Sequence, residues 1–429
     1  MIWNREAETL PRERLQVLQI GRLRQTLERQ LNAVPPRAEA LEAAGVHSAQ
    51  DVRSLDDLTR LPFTRKTDLR EHYPFGLFAV PRRDVVRVHA SSGTRGKPTV
   101  VGYTRGDLQV WSEVVARTLA LAGVEPGMVV HNAYSYGLFT GGFGFHMGAE
   151  LMGCMVVPIS GGFTQRQLLM LEDLSGQVLC ATPSYALNIA QALAEQGIGR
   201  ERLELRVGVF GAEPWTEQLR DELERQLGIA ALNVYGLSEI VGPGVSAECI
   251  EERNGAHIQE DHFLVEVIDP ESEQPLPVGQ EGELVFSTLT KEALPMVRYR
   301  TGDISSLDAS PCSCGRTTVR MARVRGRYDD MLIIRGVNLY PSEVERILLG
   351  VGDVAPHYQL VVDRPGAMDE LTVLCEPASG AADAAALQQR IAHALHTGTG
   401  LSMIVQVLER GAVPRSEGKA VRVIDNRPR

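Results

Sequence analysis

Apolar residues recur at helical spacing near the start of the chain. Between residues 12 and 32 they stand among charged residues at intervals that keep them on one side of a helix: Leu15, Leu18, Ile20, Leu23, Leu27 and Leu31. This pattern predicts an amphipathic helix, which the pair Pro35-Pro36 ends. Segment 106–123 has the same pattern and predicts another helix.

Short apolar runs alternate with helical segments between about residues 85 and 240. They have the length of buried strands and lie at Gly127–Val130, Gly153–Pro158, Val178–Ala181, Leu205–Val209 and Ala231–Val234. Alternating strands and helices predict an α/β fold, in which a largely parallel sheet is flanked by helices. We therefore expect ligands at the carboxyl ends of these strands.

The pattern changes after residue 260. Strand-like runs at Phe263–Ile268 and Gly282–Thr288 are joined by turn-rich segments, which predicts a β-rich subdomain over about 240–328. A further unit begins near residue 329, with apolar runs at Met331–Ile334 and Gln359–Val362 and helical patterns from Ser342 and around 384–396. We predict a large domain over residues 1–328 and a small α+β domain over 329–429.

The charge balance excludes some classes of partner. The 429 residues include 44 Lys+Arg and 54 Asp+Glu, so the formal net charge is −10. This balance argues against a nucleic-acid-binding protein and against a protein held by charge on an anionic membrane. We find neither an apolar run of about 18 residues nor a signal peptide, so we expect a cytoplasmic protein.

A loop rich in glycine and hydroxyl residues is the strongest single motif. It reads Ser91-Ser92-Gly93-Thr94-Arg95-Gly96-Lys97-Pro98 and follows the apolar-alternating run Val85–Val88. Such a loop can wrap a phosphate, because glycine permits close backbone approach and the cations supply charge. It is not a Walker loop, since its glycines are three apart and Pro98 stands where Ser or Thr should ligate magnesium. By itself, an ordinary Gly/Ser turn is an equally good interpretation.

Further motifs follow in order along the chain. They are Gly211-Ala212-Glu213-Pro214, Tyr235-Gly236-Leu237-Ser238-Glu239, Tyr299-Arg300-Thr301-Gly302-Asp303, Gly326-Arg327-Tyr328-Asp329-Asp330 with Gly336, and Pro414-Arg415-Ser416-Glu417-Gly418-Lys419. With the phosphate-type loop, this set resembles the adenylate-forming superfamily of acyl- and aryl-CoA ligases, most closely its phenylacetate-CoA ligase branch. The likeness runs from about residue 60 to the C-terminus. Several motifs in order are stronger support than any one of them alone.

The resemblance implies an enzyme that uses ATP, Mg²⁺ and coenzyme A. In this family a carboxylate attacks the α-phosphorus of ATP to give an acyl-adenylate and pyrophosphate, and the coenzyme A thiolate then displaces AMP. Both displacements need orientation and charge neutralisation more than acid–base catalysis. The fold it implies is a large N-terminal α/β domain and a small, mobile C-terminal domain.

The resemblance also assigns residues around the nucleotide. Ser91, Ser92, Gly93, Thr94, Gly96 and Lys97 would hold the β- and γ-phosphates. Glu239 would hold Mg²⁺, Asp303 would accept both ribose hydroxyls, and Arg327 would reach the ribose or phosphate. The adenine side would be formed by Gly211, Ala212, Glu213, Tyr235, Gly236, Leu237 and Ser238. Taken singly, Glu239 is more typical of a helix cap or a solvated charge, Arg327 of a surface ion pair and Tyr235 of a core aromatic. Asp303 alone could be a turn residue after Gly302.

Lys419 lies near the C-terminus, in a glycine-bearing loop. The matching lysine of the family enters the active site only for adenylate formation, where it bridges carboxylate and phosphate. The family's small domain then turns about a hinge, here Asp329, so that the Gly336 loop faces the site and a channel opens for the thiol. Without the preceding Pro414–Gly418 motif, Lys419 would be interpreted as an exposed tail lysine.

The acid is expected beside the glycine-rich segment 134–144, in which aromatic residues alternate with glycine. In phenylacetate ligases this segment and the stretch near Gly211 line the aryl pocket, so we predict a small aromatic acid in contact with Tyr136, Gly137, Phe143, Gly211 and Pro214. Ser135 could contact a ring substituent, so an amino- or hydroxybenzoate such as anthranilate stays an alternative. Packing of these aromatics into the core stays another.

Two rival functions share some of these motifs. A stand-alone adenylating enzyme would pass its aryl group to a carrier protein in a biosynthetic pathway instead of to coenzyme A. A non-catalytic nucleotide-binding relative is disfavoured, because Lys419, Glu239 and Asp303 are all present. The family also implies a homodimer, for which the helix 12–32 is either an interface or simply a packed cap.

The six cysteines are too few for a disulfide framework. Cys154, Cys180 and Cys375 stand singly and are predicted to be small buried apolar residues. Cys249, His257, Cys312 and Cys314 together form a Cys₃His set, the composition of a structural zinc site. The spacing alone leaves unlinked thiols equally open, with His262 as a competing ligand, and the resemblance to the phenylacetate ligase branch favours zinc.

Overall fold

The computed structural model of the chain describes residues 1–91, 98–366, 368–378 and 383–427. Within these ranges the α-helices are α1 (Arg5–Glu8), α2 (Arg12–Ala33), α3 (Pro35–Ala43), α4 (Lys66–Glu71), α5 (Arg105–Leu121), α6 (Gly141–Met152), α7 (Thr164–Asp173), α8 (Pro183–Glu195), α9 (Glu217–Leu227), α10 (Pro341–Gly350) and α11 (Ala384–Thr399). The predicted helices 12–32 and 106–123 correspond to α2 and α5. In the part of the chain described, every helix is too short or too polar to traverse a bilayer.

The strands of the first half are β1 (Arg87–Ser91), β2 (Thr99–Tyr103), β3 (Val129–Asn132), β4 (Met155–Val157), β5 (Val178–Ala181), β6 (Val207–Gly211), β7 (Ala230–Leu237), β8 (Gly242–Glu248), β9 (Ala256–Ile258) and β10 (Phe263–Ile268). The later strands are β11 (Gly282–Thr288), β12 (Tyr299–Ser305), β13 (Leu307–Asp308), β14 (Arg320–Met321), β15 (Gly326–Arg327), β16 (Leu332–Ile334), β17 (Val337–Leu339), β18 (Val354–Asp363), β19 (Glu370–Pro377), β20 (Ile404–Val407) and β21 (Val423–Asp425). The α/β fold class is confirmed.

The central sheet of the described residues has nine strands in the order β13-β14-β9-β8-β7-β6-β5-β3-β4. Strands β4, β3, β5, β6 and β7 are parallel, because a helix connects each to the next. Strand β5 is buried along its whole length, as expected for a continuous apolar run between helical layers. The carboxyl ends of β6 and β7 therefore meet at one edge of the sheet.

At the same edge of the sheet, threonine side chains cap the helices that follow the strands. Thr182 follows β5 directly and caps α8, where its hydroxyl accepts a hydrogen bond from the Tyr185 amide and Pro183 occupies the first turn. Thr216 caps α9 in the same way, through the amide of Leu219. Such caps satisfy amides that have no partner within the helix.

The region 240–328 divides between two sheets. Strands β8, β9, β13 and β14 continue the central sheet in antiparallel pairing, whereas β10, β11, β12 and β15 form a separate four-stranded sheet. The predicted β-rich subdomain is thus only partly an independent sheet. The reason is the short turn between β7 and β8, which pairs the two strands side by side.

The C-terminal residues have a core of their own. Strands β20, β19, β18 and β21 form a four-stranded sheet, and α10 and α11 pack against it through Val344 and Ile391, which are fully buried with Leu360. The hydrophobic cluster that contains these residues begins at Leu332 and ends at Val405. The apolar runs and helices predicted after residue 329 correspond to β16, α10, β18 and α11.

Candidate active site

A cavity of about 260 Å³ lies at the carboxyl edge of β6 and β7. Charged and aromatic side chains from distant parts of the chain line it: Glu213, Tyr235, Glu239, Asp303, Arg327 and Lys419. Acidic and basic groups therefore face one another across a single space, an arrangement suited to a ligand that carries negative phosphates and polar hydroxyls.

Two glycines allow the backbone to form this wall. A Cβ added at Gly236 would lie 1.9 Å from the carbonyl oxygen of Gly242, and one added at Gly211 would lie 2.2 Å from that of Val234. Both distances are far inside van der Waals contact, so a side chain at either position would force the strands apart. Ala212 follows Gly211 with φ +73° and lines the cavity.

Asp303 lies at the centre of a polar group on β12. The Tyr235 hydroxyl donates to Asp303 Oδ2 at 2.6 Å, and Arg327 Nη1 donates to Oδ1 at 3.4 Å. Burial and the neighbouring carboxylate raise the pKa of Tyr235, so it remains a donor. Asp303 thus forms part of the cavity wall with both oxygens held by fixed partners. A carboxylate can accept from hydroxyl groups, and the predicted ribose contact stays a prediction.

Glu239 lies in the turn between β7 and β8 and is 6% exposed. Hydrogen bonds on both sides hold this turn: Tyr103 donates to the Val241 carbonyl at 3.0 Å, and the hydroxyls of Thr140 and Ser238 are 3.1 Å apart. A carboxylate in a braced turn on the cavity wall can offer oxygen to a hard cation such as Mg²⁺. The geometry fits the predicted magnesium ligand.

Lys419 reaches the same cavity from the C-terminal loop. Its Nζ lies 5.5 Å from the centre of the Phe139 ring. The side chain is exposed to the cavity yet surrounded by protein, and this loss of water lowers the pKa of its ammonium. The carboxylates of Glu213, Glu239 and Asp303 oppose that shift. A cation is therefore placed in a largely acidic wall, where a phosphate would bring the opposite charge.

The phosphate-type loop is only partly described. Ser91 lies on the wall of the cavity. Ser92, Gly93, Thr94, Gly96 and Lys97 lie outside the described residues. Their predicted contacts with phosphate stay predictions.

A second cavity, of about 430 Å³, adjoins the first. The two share Ser91, Tyr134, Phe139 and Lys419, and the second is lined in addition by Ala133 and Leu138. It is mostly apolar, and Ser135 and the C-terminal loop at Glu417–Gly418 form part of its wall. A small apolar acid therefore has a space next to Lys419.

The structure brings only some of the predicted acid-binding residues to these cavities. Pro214 lines the first, and Gly211 supports its backbone wall. Tyr136 instead packs edge-on against Phe143, and its hydroxyl lies 3.1 Å from Nδ1 of His146. Among the described residues, the walls of the two cavities do not include Tyr136, Gly137 or Phe143.

Tyr134 and Phe139 are the aromatic residues shared by the two cavity walls, and both lie in segment 134–144, although the sequence motifs did not assign either to the acid. Tyr134 is 3% exposed. Its position could have been found from the strand pattern, because Tyr134 comes directly after the carboxyl end of β3, where ligands of parallel sheets bind.

The predicted hinge lies between the two groups of strands. Asp329 is in the short 3₁₀ turn Tyr328–Asp330, directly after Arg327. Gly336 forms the turn between β16 and β17 with φ +81°, and a Cβ added there would meet nothing within 4 Å. Gly336 is exposed at this turn, and its predicted place beside a coenzyme A channel stays a prediction.

The Cys₃His set does come together. The ligand atoms of Cys249, His257, Cys312 and Cys314 all lie within 4.8 Å of one another. The Sγ atoms of Cys249 and Cys312 are 3.6 Å apart, and Cys314 Sγ is 3.4 Å from His257 Nε2. With Zn–S bonds of about 2.3 Å, a tetrahedral site has S···S separations of roughly 3.8 Å, so the cluster has the size of a zinc site.

The second nitrogen of His257 supports the same interpretation. Nδ1 lies 3.0 Å from the Thr318 hydroxyl, which leaves Nε2 directed at the thiols. Metal-binding histidines are commonly oriented by such a partner. His262, the competing ligand, lies instead beside Thr290, Asp261 and Glu113.

Comparison with known proteins decides the family. The profile of the AMP-binding enzymes matches residues 18–290, and that of the AMP-binding enzyme C-terminal domain matches residues 336–427. A phenylacetate-coenzyme A ligase of Thermus thermophilus is 53% identical over the whole of both chains. The chain belongs to the phenylacetate-CoA ligase branch of the AMP-binding enzymes. The family predicted from the motifs is confirmed.

Solved structures of a related CoA ligase also match this member of the branch. A 2-hydroxyisobutyryl-CoA ligase in the postadenylation state aligns with a TM-score of 0.93 at 30% identity, over 99% of this chain and 92% of the other. The same enzyme in the thioesterification state gives a TM-score of 0.75 at 31% identity, over 99% and 92% of the two chains. The arrangement of large and small domains described above therefore resembles the postadenylation arrangement, with Lys419 inside the site.

Proposed function

We propose that the protein is an ATP-dependent ligase that joins a small arylacetic acid, phenylacetate or a close analogue, to coenzyme A. The observation that carries this proposal is the shared wall of the two cavities. There Lys419 lies between the polar group around Asp303 and an apolar space formed by Tyr134 and Phe139. The full-length identity with phenylacetate-coenzyme A ligases supports the same acid class.

In the first step, a carboxylate oxygen of the acid attacks the α-phosphorus of ATP, and the bond to pyrophosphate breaks. Lys419 holds the carboxylate and the phosphate together and neutralises the charge that develops between them. Asp303 and Arg327 hold the ribose, and the backbone at Gly211–Glu213 lies along adenine with Tyr235. The Ser91–Lys97 loop would hold the triphosphate, and Glu239 would hold Mg²⁺, which would supply further charge neutralisation there.

In the second step, the thiolate of coenzyme A attacks the acyl carbon, and the bond to AMP breaks. The attack on phosphorus that Lys419 assists is complete at this stage, so we propose that Lys419 takes no part in the second step. We propose that the small domain turns about Asp329, carries Lys419 away and brings the Gly336 turn towards the site.

The test is pyrophosphate release with a panel of arylacetates, benzoates, aminobenzoates and hydroxybenzoates, each with and without coenzyme A. We expect release with arylacetates and AMP accumulation only with the thiol. Pyrophosphate release with anthranilate but not with arylacetates would show that the substrate is anthranilate and would contradict the proposed acid. Transfer of the acyl group to a carrier protein in preference to free coenzyme A would contradict the proposed acceptor.

We also propose that the Cys₃His cluster binds a structural zinc ion through Cys249, His257, Cys312 and Cys314. A closed four-ligand set leaves no position open for substrate, so the ion would stabilise the loops and take no part in the reaction. Elemental analysis should give one zinc per chain, and Cys312→Ser should lose both the metal and thermal stability. Protein without zinc, together with unchanged stability of the variant, would remove this proposal. The expected homodimer is a separate proposal, tested by the mass of the protein in solution.

A further inference from the structure

The loop that carries Lys419 is held by side chains of the large domain. The Thr182 hydroxyl donates to the Gly418 carbonyl at 2.9 Å, and the Ala420 amide donates to Glu213 Oε2 at 2.7 Å. The backbone groups immediately before and after Lys419 therefore each have a polar partner on the other domain. Asn188 adds another, because its side-chain amide donates to the Ser416 carbonyl at 2.7 Å.

These partners are themselves fixed. Thr182 caps α8 and is 5% exposed, and Asn188 lies on the same helix. The other carboxylate oxygen of Glu213, Oε1, accepts from the Ser184 amide at 2.8 Å in the first turn of α8. Helix α8 and the Glu213 side chain bound to it thus present two donors and one acceptor to a loop that has little regular structure of its own.

The loop also fits closely against a glycine pair. A Cβ added at Gly161 would lie 2.9 Å from the Glu417 carbonyl oxygen and 2.8 Å from the Ser135 hydroxyl, and one added at Gly162 would lie 3.0 Å from the Glu417 side chain. Absence of a side chain at Gly161 is therefore needed for the loop to reach its position. The contact also exists only while the C-terminal loop is docked.

We propose that Thr182, Asn188 and Glu213 form a latch that positions Lys419 for the adenylation step alone. The inference rests on the proposed function, in which Lys419 acts only before coenzyme A reacts. The three are positioning residues, since they hold the backbone beside Lys419 and act through it. When the small domain turns, all three hydrogen bonds break together, so the latch sets how readily the enzyme leaves its adenylation arrangement.

Two variants test the latch by different means, one by removing a hydrogen bond and the other by adding a methyl group at the contact. Asn188→Ala removes one donor without adding bulk, and Gly161→Ala adds bulk that meets the Glu417 carbonyl of the docked loop and the Ser135 hydroxyl of the large domain. We expect each to slow acyl-adenylate formation about five- to tenfold, the size of one lost hydrogen bond. The fall should be in kcat, with KM for ATP nearly unchanged, and thioester formation from supplied acyl-adenylate should keep its wild-type rate. Gln191→Ala is the matched control, since Gln191 is further along α8 and lines a different groove against the small domain.

Hydrogen exchange supplies a readout that does not depend on the acid. With ATP alone, the segment 415–421 should exchange faster in both variants than in wild type, and the strands of the central sheet should exchange as before. If the wild-type enzyme adenylated none of the acids in the panel, the proposed function would be refuted. The hydrogen-exchange rate of segment 415–421 would still test the latch, because it is measured with ATP alone. Equal exchange of 415–421 in wild type and variants would overturn the latch, as would an equal loss in both half-reactions accompanied by lower thermal stability.

Discussion

Replacing Lys419 by alanine should separate the two half-reactions. The ammonium is exposed to the cavity and lies among Glu213, Glu239 and Asp303, so its environment is neither bulk water nor a dry interior. At an effective dielectric constant of about 20 and a contact distance of about 4 Å, one charge pair is worth about 4 kcal/mol. Since about 1.4 kcal/mol corresponds to tenfold in rate, adenylation by Lys419→Ala should fall roughly 10³-fold.

The assay measures each half-reaction by itself. Pyrophosphate release with the acid and ATP reports adenylation, and thioester formation from synthetic acyl-adenylate and coenzyme A reports the second step. The second rate should stay within about twofold of wild type, because a cation helps only the step in which the opposing charge develops. Lys419→Arg keeps the charge and should recover part of the adenylation rate. An equal loss of both rates in Lys419→Ala would refute this division of roles.

Three further predictions follow from pKa, packing and burial. Loss of water lowers the pKa of Lys419, and the protonated form is the active one, so the adenylation rate should decline as pH rises through a value below the ordinary 10.5 of lysine. The rate of thioester formation should show no such decline. In Lys419→Arg the decline should also disappear from adenylation, because the guanidinium stays charged. Gly236→Ala places a Cβ 1.9 Å from the Gly242 carbonyl oxygen and should lower the free energy of unfolding by about 3 kcal/mol in urea titrations. Gly366→Ala, at an exposed loop position with open space around it and no positive φ, provides the comparison for a simple glycine change. Arg316 and Glu8 form an ion pair with side-chain exposures of 2% and 1%, so Arg316→Met should cost about 3–5 kcal/mol of stability, and adding Glu8→Gln should restore part of it; an Arg316→Met protein as stable as wild type would contradict the assigned burial.

The predicted site residues that the structure brings together are those whose motifs follow one another in the family's order along the chain. Asp303, Glu239 and Lys419 are far apart in sequence, and only their membership of an ordered set pointed to a common site. The structure places them on one cavity wall. The Cys₃His set was likewise collected by residue type, and its ligand atoms lie together.

Other features depend on the path of the backbone between elements, which the spacing of apolar residues in the sequence does not predict. Tyr134 and Tyr136 are two residues apart, which in a strand would place them on one face. The chain leaves β3 at Asn132, however, and the following turn directs Tyr136 towards His146 and leaves Tyr134 at the cavities. The Glu213 contact with Ala420 joins residues 207 positions apart, and only the docked arrangement of the domains creates it.

The separate core of the C-terminal residues has a consequence for how the enzyme loses activity on warming. Because the cluster from Leu332 to Val405 packs within itself, the small domain can detach as a unit before the central sheet melts. The wall around Asp303 and Glu239 would then persist without Lys419. Adenylation should therefore fail at a temperature below that of global unfolding, while AMP can still bind the remaining wall and raise the melting temperature of the large domain.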